Sequence, residues 1–289
     1  MGSGGTHDPD RVLVLGPGGR LGVAWTAGLT AGLRGFGVDL GEADLMVGTS
    51  AGAIVGAVIA TGQDPARLAT LPARRSADSS GAPRRPDPAV TRAVFALLGD
   101  PHLHPAEARR RVGRIALETA DPEAENQLIA QRSALIAADG WPRRPLLIPA
   151  VECESGEPIV WDATTGVPLV RAVAASSAFP GIEPPVTVDG RRYLDGALRA
   201  GTNTDLAGDA RAVVVVDPLA HRHPHPTSDG AHLLAPDPAA VRLLDAEQNG
   251  PEAWKAAYQA GKAQAGAAAE KLRAHWQPAQ AHGGIPNRD

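Results

Sequence analysis

The sequence predicts an α/β fold on a largely parallel sheet, and three observations carry that prediction. Residues 11–15, Arg-Val-Leu-Val-Leu, form a short apolar, β-branched run stopped by glycine, the pattern of a buried strand. A glycine-rich loop at 16–22 then leads into small and apolar residues at helical spacing over 23–33, ending near Gly35 and Gly37, which suits a helix with a glycine stop. The same order repeats at once, with a strand at 44–48, a tight turn at 49–52 and an alanine-rich helix over 53–61. Strands alternating with helices imply a parallel sheet.

Later segments extend this pattern. Residues 145–151 and 158–161 read as strands, 167–176 as a helix, and 192–194 as a short strand leading into Asp195. Residues 212–216, Ala-Val-Val-Val-Val, read as a central strand buried on both faces. A His- and Pro-rich loop follows at 221–226. The stretch 239–276 is helical and rich in alanine, and 277–289 reads as a tail. No internal repeat is present.

Residues 71–145 differ in character, with prolines and the arginine groups 74–75, 84–85 and 109–111. Helical stretches fall near 89–98 and 106–120. This region reads as a helical cap inserted into one catalytic domain spanning 1–289, with a mobile loop at 76–88. Its arginines either attract anionic lipid headgroups or form a solvated surface in an arginine-rich chain.

Composition narrows the function classes. The 289 residues are 43% hydrophobic and 21% charged, ordinary globular usage. A net charge of −4 argues against a nucleic-acid-coating protein, which carries a basic balance, so no nucleic-acid partner is expected. Cys153 is the one cysteine, which rules out an intrachain disulfide and favours a reducing compartment. The first ten residues lack a basic segment followed by an apolar one. The longest apolar stretch, 51–60, falls short of the ~20 residues of a membrane span. A cytoplasmic location is expected, with any membrane contact peripheral.

Gly48-Thr49-Ser50-Ala51-Gly52 matches Gly-x-Ser-x-Gly, the nucleophile elbow. Side chains at Gly48 and Gly52 would collide with neighbouring backbone, and the turn holds the serine hydroxyl at a helix N-terminus, where the dipole favours developing negative charge. Chance gives about 0.1 such matches in a chain of this composition, but the strand before and the helix after supply the required context. The loop at 16–22 can donate backbone N–H groups to an oxyanion or to a phosphate. Its Gly-x-Gly-x-x-x-Gly spacing is a poor dinucleotide fingerprint, and no Gly-Lys-Ser/Thr makes it a P-loop.

The serine needs a proton acceptor. His7 and His282 lie in terminal segments, His102 and His104 in the cap, and His221, His223 and His225 in the proline-rich loop; His232 and His275 have no recognisable context. A triad through His221 or His232 is one option. Asp195, in Tyr193-Leu-Asp-Gly-Ala197, is the other, and by itself it reads equally as a turn formed with Gly196.

Three ordered segments together resemble the patatin-like phospholipases. They are the loop at 16–22, the Gly48–Gly52 turn with Ala53-Ile-Val-Gly56 behind it, and Asp195-Gly196-Ala197. The run Ala174-Ala-Ser-Ser-Ala-Phe-Pro-Gly-Ile-Glu-Pro-Pro185 before the last segment, and Thr202-Asn203 after it, also match. The resemblance covers residues 11–62 and 168–217 and implies a three-layer αβα sandwich with a helical cap. It implies a Ser50–Asp195 dyad that hydrolyses lipid acyl esters through an acyl-serine, with no metal and no cofactor. The family loop commonly reads Gly-Gly-Gly-Gly-x-Arg/Lys-Gly; here Pro17 replaces a glycine and Arg20 comes one place early. Since Pro17 has no N–H, the implied oxyanion donors are the amides of Gly18, Gly19 and Arg20. The altered loop leaves a rival, a lipid- or acyl-binding module without catalysis. An ordinary carboxylate is also a weak base at neutral pH, so the dyad requires Asp195 to be buried or strained.

Overall fold

A computed structural model describes residues 9–71, 87–118, 120–223, 230–246 and 250–276. The arginine pairs at 74–75 and 84–85, most of the expected 76–88 loop, His7, His225, His282 and the 277–289 tail lie outside the described residues. Among the described residues, no helix is long and apolar enough to cross a membrane.

The chain opens with β1 (Arg11–Leu15), α1 (Gly19–Gly35), β2 (Leu45–Gly48) and α2 (Ala51–Ala60), the order read from the sequence. Helix α1 begins earlier than its composition indicates, so the second half of the glycine loop is its first turn. Three helices follow, α3 (Pro88–Leu98), α4 (Pro105–Glu118) and α5 (Pro122–Ile136). Asp87 and Pro88, read as loop, start α3: the Asp87 carboxylate accepts from the amides of Ala89 and Val90, a side-chain N-cap. Helix α5 has the same device in Asp121, bonded by the amides of Glu123 and Ala124. Next come β3 (Leu146–Glu152), β4 (Pro158–Trp161), α6 (Leu169–Ser176), β5 (Val186–Val188), β6 (Arg191–Asp195), α7 (Ala197–Ala200), β7 (Ala212–Val216), β8 (His232–Leu234), α8 (Pro238–Asp245) and α9 (Pro251–Leu272).

The sheet runs β5-β6-β3-β2-β1-β7-β8, with β4 also paired to β3. The five strands β3, β2, β1, β7 and β8 are mutually parallel; β4, β5 and β6 are antiparallel additions at one end. Side chains alternate between the two faces. Leu13, Leu15, Met46, Ile148, Val214 and Val216 pack with α1, α2, α6 and α9. Val12, Val14, Val47, Val213 and Val215 face the opposite side, beneath a short turn containing Leu206 and Ala207. Val151, Cys153 and Leu194 continue that second side beneath Val94 of α3 and Val112 and Ala116 of α4. The result is three layers, helix on sheet on helix. On the first side α1 and α9 cross in near backbone contact: a Cβ on Gly28 would lie 2.0 Å from the Tyr258 carbonyl oxygen, and one on Gly261 2.1 Å from that of Trp25.

Register then sets the site. Leu15 pairs with Gly48 on one side and Val216 on the other. Gly16, the Thr49-Ser50 turn and Asp217 therefore emerge side by side at the carboxyl ends of the parallel strands, where open α/β sheets bind ligands. Strand β6 runs the other way, and its last residue, Asp195, pairs with Ala150 near the same end of β3.

Candidate active site

Ser50 occupies the turn between β2 and α2 with φ 56 and ψ −113, a backbone conformation that costs a non-glycine residue on the order of 1–3 kcal/mol. Packing enforces it. A Cβ on Gly52 would sit 2.0 Å from the Leu15 carbonyl oxygen, and one on Gly48 would sit 2.8 Å from Ala53 Cα. The amide of Thr49 donates to Leu15 O at 2.9 Å, and that of Gly52 to Gly16 O at 3.1 Å. The amide of Ser50 donates to Ser176 Oγ at 3.2 Å, which ties the serine turn to the C-terminal end of α6.

Asp195 lies beside this turn. Its Oδ1 accepts from the amide of Ala197 at 2.8 Å, and the Ser50 hydroxyl lies near enough to favour its charged form. Gly196 is confined as closely as the serine-turn glycines, since a Cβ there would lie 2.2 Å from Pro149 O. Asp195 is 2% exposed and Ser50 8%. Burial raises the Asp195 carboxyl from its ordinary value to about 7, against the opposing pull of the Ala197 amide, the nearby Ser50 hydroxyl and the Arg132 charge. Desolvation wins because the ionised form loses more hydration than these partners return.

The glycine loop faces the pair. Gly18 precedes α1 and packs beneath Pro218, whose Cβ would lie 2.8 Å from a Gly18 Cβ. Gly19 takes φ 59 with open space on its Cβ side. The first i−4 bond of α1 runs from Gly22 N to Gly18 O, so the Gly19 amide lies ahead of the helix's own ladder. Gly18, Gly19, Arg20, Ser50 and Asp195 line one cavity of about 1970 Å³. Two helix N-termini, those of α1 and α2, thus open on the same space, a setting favourable to negative charge.

The rest of the cavity wall is largely apolar, with Val23, Ile54, Phe179, Leu198, Leu219 and Trp254 among its side chains. Its volume exceeds the ~300–1,000 Å³ common for small-molecule pockets. At the rim, Phe95 is 48% and Ile182 43% exposed.

A family profile described as patatin-like phospholipase matches residues 13–207, a span that holds the glycine loop, the serine turn and Asp195. The chain belongs to the patatin-like phospholipase family. Two solved structures are similar to this chain at low identity. VipD from Legionella pneumophila is 13% identical, with a TM-score of 0.48 over 92% of this chain and 67% of VipD. The type III effector protein ExoU is 17% identical, with a TM-score of 0.42 over 92% of this chain and 53% of ExoU. No curated protein sequence matches the chain at a significant level.

Within this patatin-like domain the described histidines are exposed or engaged with partners other than Ser50. His221 Nε2 is 2.8 Å from Asp245 Oδ1. His232 stacks edge-on against His275 with ring centroids 4.2 Å apart. His102 and His104 are exposed. His223 does line the cavity, where its ring stacks on Phe95. Among the described residues, no histidine hydrogen-bonds Ser50.

Asp217 and Arg132 carry no role in the sequence reading, and Ser176 enters it only within the matching run 174–185. Ser176 Oγ holds the Ser50 amide. Asp217, at the end of β7, accepts from Thr202 Oγ1 and from the amide of Leu219, both at 2.8 Å; a polar residue closing a run of four valines was its signal. Arg132, on α5, borders the cavity, and nothing in the mixed polar and apolar run around it marked it out. Asn203 had been noted only for its resemblance. It is fully buried, takes φ 57, and donates through Nδ2 to Thr49 Oγ1 and to the carbonyls of Gly196 and Gly201.

Proposed function

We propose that the protein is a serine acyl hydrolase that cleaves fatty-acyl esters of lipids through Ser50 and Asp195. Family membership supports lipid acyl hydrolysis at the family level. The observation that carries the finer reading is a buried, proton-avid Asp195 with the Ser50 hydroxyl close by on the wall of the same large apolar cavity.

The chemistry follows from these groups. As Ser50 Oγ attacks the ester carbonyl, its proton passes to the Asp195 carboxylate. The oxyanion is held by backbone N–H groups at the heads of α1 and α2, those of Gly18, Gly19 and Arg20 first. Protonated Asp195 gives its proton to the leaving alkoxide, leaving an acyl-serine. Water then adds to the acyl carbon with Asp195 again accepting the proton, and the fatty acid departs as Ser50 regains its hydrogen. A carboxylate near pKa 7 is a far better base at neutral pH than an ordinary aspartate.

The cavity suits acyl chains, and the exposed side chains of Phe95, Leu98 and Ile182 at its rim suit a lipid surface, so membrane contact is peripheral and made by this face. The insertion at 71–145 acts as a cap that supplies Phe95 and Leu98. The protein is thus a carboxylic ester hydrolase of phospholipase A or lysophospholipase type.

A graded series of p-nitrophenyl acyl esters, offered to wild type and Ser50→Ala side by side, tests this reading. Serine-dependent turnover with a chain-length preference supports it. A folded protein without turnover would instead be an acyl-lipid binding module.

A further inference from the structure

Arg132 stands on α5, outside the serine turn, the glycine loop and the aspartate turn, yet its side chain is only 9% exposed and borders the cavity they share. Its guanidinium is held firmly. Nε donates to Ser177 Oγ at 2.8 Å and Nη2 to Glu183 Oε1 at 3.1 Å. The Ser177 hydroxyl in turn donates to the Val173 carbonyl at 2.9 Å, so the anchor is fixed to α6. Ser177 follows Ser176, the acceptor of the Ser50 amide.

We propose that Arg132 is a positioning residue of the Ser50–Asp195 pair: clamped by Ser177 and Glu183, it sets a fixed positive charge beside the buried carboxylate and keeps that carboxylate ionised. This inference rests on Asp195 being the base.

The charges around Asp195 single out this arginine. Arg191 on β6 pairs with Glu152 of β3 at 2.8 Å. Arg199 on α7 pairs with Asp205 at 2.7 Å. Asp217 on β7 is engaged with Thr202 and Leu219. Arg171 on α6 bonds Thr187 O and lies 3.8 Å from Glu125. Arg20, at the head of α1, faces the cavity. Ser177, the Arg132 anchor, lies between Ser176 and Ala178, whose carbonyls accept from the amides of Gly196 and Asp195 at 3.2 Å each, so the guanidinium is held beside the Asp195 turn, where its charge favours the ionised carboxyl. Recognition of a substrate anion is a poorer role for it, because Glu183 already pairs with the guanidinium at 3.1 Å.

A base needs this help. A carboxylate buried without a compensating charge moves up by several units and is protonated, hence useless, at neutral pH. Glu183 holds the guanidinium in place and weakens its field on Asp195, so the two residues act on the base in opposite senses.

The test is the pH dependence of kcat/KM for wild type, Arg132→Met, Arg132→Lys and Glu183→Gln, with circular dichroism to establish folding. Titration of the Asp195 carboxyl by carbon-13 NMR on the same proteins runs beside it. The acid limb, near pH 7 in wild type, moves up by about one unit or more in Arg132→Met, the size expected for loss of a nearby opposite charge. It stays near wild type in Arg132→Lys and moves down in Glu183→Gln. A purely structural arginine would lower kcat/KM without moving the limb, and that result overturns the proposal. So does movement of Arg132→Met and Glu183→Gln in the same direction. If Arg132→Met does not fold, the Lys and Gln variants decide. If wild type shows no Ser50-dependent turnover, the hydrolase reading fails separately and the NMR titrations still decide whether Arg132 holds Asp195 ionised.

Discussion

Asn203 and Thr49, 154 positions apart in sequence, are joined by a buried hydrogen bond of 3.0 Å from Nδ2 to Oγ1. The same Nδ2 reaches the Gly196 carbonyl at 3.1 Å, so one amide spans the turn before Ser50 and the turn after Asp195. Replacing Asn203 by Leu strands these acceptors in a dry interior, at a cost of about 1–3 kcal/mol. It also loosens the relative placement of serine and aspartate. We expect a lower melting temperature and a fall in kcat of about tenfold or more, since small misplacements of reacting groups are expensive. Thermal melts and steady-state kinetics on Asn203→Leu check both.

Asp195 is expected to limit stability as well as to support function. With its folded carboxyl at about 7 against about 3.9 when unfolded, the folded state binds the proton more tightly than the unfolded state. Folding is therefore favoured by this group at low pH, and that contribution is lost as pH rises from about 4 through 7. At pH 8 the ionised carboxylate costs up to about 4 kcal/mol, three units at ~1.4 kcal/mol each. Asp195→Asn removes the charge and retains an acceptor for the Ala197 amide. It should abolish hydrolysis yet melt higher than wild type at pH 8, with the gap narrowing toward pH 4. Calorimetry at several pH values reads this; a lower melting temperature at pH 8 would contradict the burial argument.

Two glycines should respond oppositely to alanine. A Cβ at Gly52 meets the Leu15 carbonyl oxygen at 2.0 Å, backbone that moves only by separating α2 from β1. Gly52→Ala should be unfolded or destabilised by about 3 kcal/mol or more, in the range of severe core disruptions. Gly35 closes α1 in open space, so Gly35→Ala should be neutral or stabilising by up to about 1 kcal/mol. Denaturant midpoints of the two variants test the pair.

Much of the site was readable because its parts carry local rules. The strand, glycine loop, helix, strand and serine turn over the first sixty residues each obey a short-range pattern, and the turn glycines follow from clashes a reader can anticipate. The start of α1 was misplaced because propensity disfavours glycine in helices, while at Gly22 the close approach of Pro218, 3.3 Å from a Cβ there, outweighs it. Strands β5 and β8, three residues each, are too short to show alternation. The single helical stretch read over 239–276 is two helices, α8 and α9, each opened by proline at its first position. Helix α5 escaped notice within a region read as one insertion. The roles of Asn203, Ser176 and Arg132 come from contacts across long sequence separations, which no local pattern encodes.

The central claim is that Ser50 is the nucleophile and Asp195 its base, and the rate at which a fluorophosphonate labels the protein as a function of pH tests it most directly. With the modified residue identified by mass spectrometry, labelling is expected at Ser50 alone, rising through a limb near pH 7 and lost in Asp195→Asn. Labelling at another residue, or Ser50 labelling that persists unchanged in Asp195→Asn, would contradict it.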